Sequence, residues 1–132
     1  MILAWLVATP AAAWQFSAQP ICRLDHTAET SVTITYDGSI YAITLTRPEG
    51  WSQGPVFAMA FQPVGPVIST RRHQVSGSAL TVTDRGFGNV LTGVALNSVA
   101  IATVGDTSVT IDLTDAAPRV RAFLDCSPDL ST

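Results

Sequence analysis

Two histidines, two cysteines and seven arginines are the side chains best suited to chemistry in this 132-residue chain, and no lysine accompanies them. His26 and His73 are the available imidazoles. Neither sits in a metal-ligand spacing such as HxxxH, although Asp25, His26 and Glu29 could offer a few ligands at a strand end. No metal and no cofactor are expected. Ser69 or Ser76 can be written beside His73 and Asp84 as nucleophile, base and orienting acid, the pattern of a small hydrolase. No GxSxG elbow presents either serine. The missing lysine removes Schiff-base chemistry and Ser-Lys dyads outright.

A glycine-rich stretch, Gly86-Phe87-Gly88-Asn89-Val90-Leu91-Thr92-Gly93, has the outline of a phosphate cradle. A dinucleotide fingerprint needs glycine at position 91, where leucine stands. Read as a triphosphate loop, Gly88 and Gly93 are correctly separated, but Val94 and Ala95 replace the lysine and the magnesium-binding hydroxyl. The glycines are therefore expected to serve backbone conformations with positive φ.

Arg71, Arg72 and His73, with Arg85 brought near by a strand pairing, form the densest cationic group in an otherwise acidic chain. Guanidinium pairs hold carboxylate or phosphate through two parallel hydrogen bonds, so this group is the candidate site for an anionic ligand or a periplasmic protein surface. Trp51 and Phe87, large rings in glycine-rich loops, would stand at its rim. The alternative is that the arginines pair with Asp84 and other acids while the rings fold back over a sheet edge.

Strands must position these residues. Val32, Ile34 and Tyr36 alternate with threonines, Asp37-Gly38 suits a tight turn, and Tyr41, Ile43 and Leu45 alternate on the return. Val56 to Phe61, Val67 to Thr70, Ala79 to Thr83, Ser98 to Val104 and Thr107 to Leu113 also read as strands. The segments 47–55 and 62–66 read as Pro/Gly connections, the first of them exposed. Val90 to Leu96 is open between a distorted helical turn and a strand. One helix closes the chain after Thr114-Asp115, with Val120, Phe123 and Leu124 on one face and Pro118 in its first turn. Arg119 and Arg121 near its start and Asp125 near its end oppose the helix dipole, so packing must hold it.

The first 13 residues read as an export signal: Ile2 to Val7 is apolar, Pro10 breaks the run, and Ala11-Ala12-Ala13 supplies a cleavage site before Trp14. No basic residue precedes the run, which places the true start upstream; the alternative is a buried N-terminal strand or helix. The apolar stretch is too short for a crossing helix of about 20 residues. Export would place Cys22 and Cys126 in an oxidising compartment, where one disulfide closing nearly the whole domain is expected.

Val67 to His73, Leu80 to Leu91 and Ala117 to Cys126 together resemble a group of short exported proteins of Gram-negative bacteria, whose members often carry the name of the excinuclease ABC helicase component. No catalytic residues are assigned in that group, so the resemblance implies export and a compact domain but no activity. A repair helicase needs a triphosphate loop and a basic DNA channel. This chain has no lysine and a formal charge of -3, which excludes that role and nucleic acid as a partner. The expectation is one antiparallel β-sandwich or partly open barrel over residues 14–132, with one short C-terminal helix, acting as a periplasmic or secreted binding or accessory protein without enzymatic activity.

Overall fold

The computed structural model describes residues 14–126, and the expected signal at 1–13 lies outside the described residues. The chain forms ten strands and two helices: β1 (Trp14–Ser17), β2 (Cys22–His26), β3 (Ser31–Tyr36), β4 (Tyr41–Thr46), β5 (Phe57–Gln62), β6 (Val67–Thr70), β7 (Gln74–Ser76), β8 (Ala79–Asp84), α1 (Gly88–Leu96), β9 (Val99–Val104), β10 (Thr107–Asp112) and α2 (Ala116–Cys126). Six strands make one antiparallel sheet in the order β1-β2-β3-β4-β8-β7, and four make a second in the order β10-β9-β5-β6. The sheets face each other as a sandwich, with no closed barrel.

Period-two alternation decides what lies between them. In the larger sheet, register aligns Leu24, Ile34, Ile43 and Val82 in one inward row and His26, Val32, Leu45 and Leu80 in the next. In the smaller sheet, Val109, Ala102, Met59 and Ile68 form one row, and Val104, Phe57 and Thr70 another. Ala100 and Ala102 are fully buried at its centre.

The Asp37-Gly38 turn follows the residues that signal it. Gly38 adopts φ +99°, and Asp37 Oδ1 accepts hydrogen bonds from the backbone N–H groups of Ser39 and Ile40 at 2.9 and 2.8 Å. These bonds hold the Asp37 carboxyl below its ordinary pKa.

The ambiguous segment 90–96 is helical, so the sandwich carries two helices rather than the single one expected. Gly93 explains why the pattern is hard to read. None of Gly86, Gly88 and Gly93 has positive φ, which corrects the expectation for them. At Gly93, a Cβ would stand 2.5 Å from Phe61 Cδ2, so the missing side chain lets α1 settle onto the Phe61 ring.

Helix α2 is held by packing, since Val120 and Phe123 are fully buried. It is also fastened covalently: Cys22 and Cys126 form a disulfide across 104 positions, with their Cα atoms 5.9 Å apart. Asp112 Oδ1 accepts from the Thr114 hydroxyl at 2.6 Å and the Thr114 N–H at 2.9 Å, fixing the turn into the helix. No helix among the described residues is long and apolar enough to cross a membrane.

Candidate functional site: a cleft on the open side of the sandwich

The two layers are joined firmly on one side. Trp14, on the edge strand β1, is buried and donates its indole N–H to the Asp112 carbonyl of edge strand β10 at 2.9 Å. The Arg119 Nε–H of α2 reaches back to the Trp14 carbonyl at 3.3 Å. On the other side, β4 and β8 face β5 and β6 across a cleft of about 480 Å³, within the range of ligand pockets.

Strand phase builds the cleft walls. Ile43 and Val82 come from one sheet, and Phe57, Met59 and Ile68 from the other. Phe87 and Val90 close the inner end where the chain enters α1. Phe87 is buried with its ring centroid 5.6 Å from that of Tyr41, which stacks in turn on Tyr36 at 4.3 Å.

Polar residues collect at the mouth. Arg72, Asp84 and Arg85 line it and are exposed. Arg72 continues the phase of Ile68 and Thr70, which turns it inward, whereas Arg71 follows Val67 and Ser69 and stays outside the lining. Thr70 Oγ1 accepts from the Arg72 N–H at 3.0 Å, and Asp84 Oδ1 accepts from the Arg85 N–H at 2.7 Å. The ion pairs among the described residues are Arg23 with Asp25 and Arg47 with Glu49; neither involves Arg71, Arg72 or Arg85.

Thus Arg72, Arg85 and Phe87 of the expected group come together, and Arg71, His73 and Trp51 stand apart from the lining. Residues 71–73 are the short strap that carries the chain from β6 in one sheet to β7 in the other. Within it, His73 Nε2 meets the Gly54 carbonyl at 2.9 Å, and its Nδ1 is buried without a hydrogen-bond partner among the described residues. A neutral ring must therefore carry its proton on Nε2.

Trp51 is a structural ring. Its indole N–H donates to the Ser78 carbonyl at 3.0 Å, and the Arg47 guanidinium lies 5.6 Å from the ring centroid. The loop around it, read from composition as exposed, is pinned further where Thr107 Oγ1 accepts from the Ser52 N–H at 2.9 Å. Buried Trp51 thus folds back over the sheet edge instead of meeting the cleft.

Ser69 and Asp84 both line the cleft, but no hydrogen bond joins His73 to Ser69, Ser76 or Asp84 among the described residues. The possible ligand set at the other histidine is also separated by alternation. Asp25 Oδ2 pairs with Arg23 and its Oδ1 accepts from Thr33, while His26 is buried against Trp14 with ring centroids 4.6 Å apart. Comparison with protein-family models, with curated proteins and with solved structures finds no match.

Proposed function

We propose that this chain is an exported binding module without catalytic activity, whose ligand enters the cleft between β4/β8 and β5/β6. The supporting observation is the cleft itself: an apolar chamber of ligand size with a polar mouth, on the side of the sandwich opposite the Trp14 closure. The hydrolase alternative receives less support, because His73 Nε2 is occupied by the Gly54 carbonyl rather than by a serine. Export is supported by the Cys22–Cys126 disulfide, a bond that persists in oxidising compartments.

The test is to fill the chamber. Met59→Trp and Val82→Phe are each to be titrated with an environment-sensitive apolar dye after thermal unfolding confirms a folded domain. Loss of a one-to-one binding signal in both variants is the expected result. Unchanged dye binding by folded variants would remove the cleft as the binding site.

A further inference from the structure

We propose that the cleft selects a single-chain amphiphile with one negative charge, an alkyl carboxylate being the simplest member. This rests on the reading of the cleft as a binding site and adds the chemistry of its occupant. The inner walls are hydrocarbon and aromatic, represented by Met59, Val82 and Phe87. Burial of an alkyl chain there follows from the hydrophobic effect, because nothing on those walls requires a polar partner.

The mouth supplies the head-group preference. Arg72 and Arg85 line it, and neither guanidinium is engaged in an ion pair with a described acid. Asp84 lines the same mouth, so two positive charges and one negative charge surround the entering head. That balance matches a monoanion. A dianionic phosphate would meet the Asp84 carboxylate with twice the repulsion, whereas a neutral alcohol would leave the guanidiniums without an anion to hold.

Decanoate, 1-decanol and decyl phosphate share one tail and differ in the head, so calorimetric titration of each below its aggregation threshold reads the preference directly. Decanoate is expected to bind at one equivalent and at least tenfold more tightly than the other two. In Arg72→Gln/Arg85→Gln its advantage over decanol should fall to less than threefold, with thermal unfolding unchanged. Equal affinity for decanoate and decanol in the parent would overturn the charge selection while leaving the cleft as a binding site. Tighter binding of decyl phosphate would overturn the monoanion preference. Failure of all three probes to bind would overturn this proposal, and if the apolar dye also fails, the cleft reading falls with it.

Discussion

The indole N–H of Trp14 and the carbonyl oxygen of Asp112 lie 2.9 Å apart, linking edge strands of two different sheets. The bond joins positions 98 residues apart in the chain and ties the first described residue to the last residue of β10. Its ring also stacks on His26 at 4.6 Å. One side chain therefore seals that flank by packing and by a directed bond together.

Trp14→Phe keeps an aromatic ring but leaves the Asp112 carbonyl without its donor. The expected loss is about 1–2 kcal/mol in urea unfolding, against about 3–5 kcal/mol for Trp14→Ala. Equal losses for the two variants would show that the hydrogen bond and ring remainder contribute nothing.

The disulfide closes a loop spanning 104 positions. On the chain-entropy account this contributes about 4–5 kcal/mol, expected to be lost in Cys22→Ala/Cys126→Ala and on reduction of the parent. Intact mass with alkylation, before and after reductant, checks the bond; free thiols in the untreated protein would refute it.

Gly93→Ala separates two opposing effects. Helix propensity favours alanine by about 1 kcal/mol, but the added Cβ would meet Phe61 Cδ2 at 2.5 Å. Overpacking should prevail, giving a net loss of about 1–2 kcal/mol that Phe61→Leu partly relieves. A more stable Gly93→Ala protein would show that α1 can shift freely on the sheet.

Acid should weaken the fold through two carboxylates. Hydrogen bonds from the Ile40 and Ser39 N–H groups lower the pKa of Asp37, and bonds from the Thr114 hydroxyl and N–H lower that of Asp112. Because the folded pKa lies below the unfolded one, each stabilises fully above about pH 4 and ceases to do so as pH falls through its folded value. The unfolding temperature should therefore fall less between about pH 6 and about pH 2.5 in Asp37→Ala/Asp112→Ala than in the parent. An equal fall would assign the acid sensitivity to other groups.

Alternation made most of the sandwich legible: β3, β4 and β6 occupy the expected residues, because one face of each is apolar or half-buried. The C-terminal helix and the cysteine pairing were readable for the same kind of reason, a repeating buried face and two terminal thiols. Helix α1 was not, since Gly93 is chosen for closeness to a ring distant in sequence. At the site, phase along β6 distinguishes Arg72 from Arg71, a signal present in the sequence once the inward set is known. Trp51 was harder to place, because its partner is the Ser78 carbonyl, 27 residues away and unmarked by side-chain type.

The strap between β6 and β7 limits how the cleft can respond to an occupant. Only residues 71–73 separate Thr70 in one sheet from Gln74 in the other. Four Cα-to-Cα steps reach at most about 14 Å when fully extended, against about 10 Å between stacked sheets. The tether thus leaves only a few ångströms of slack, and the jaws cannot swing apart around a bulky guest. Discrimination then falls to width as well as charge: slender chains can thread between the layers, whereas branched or fused-ring bodies meet walls whose separation is capped by covalent reach.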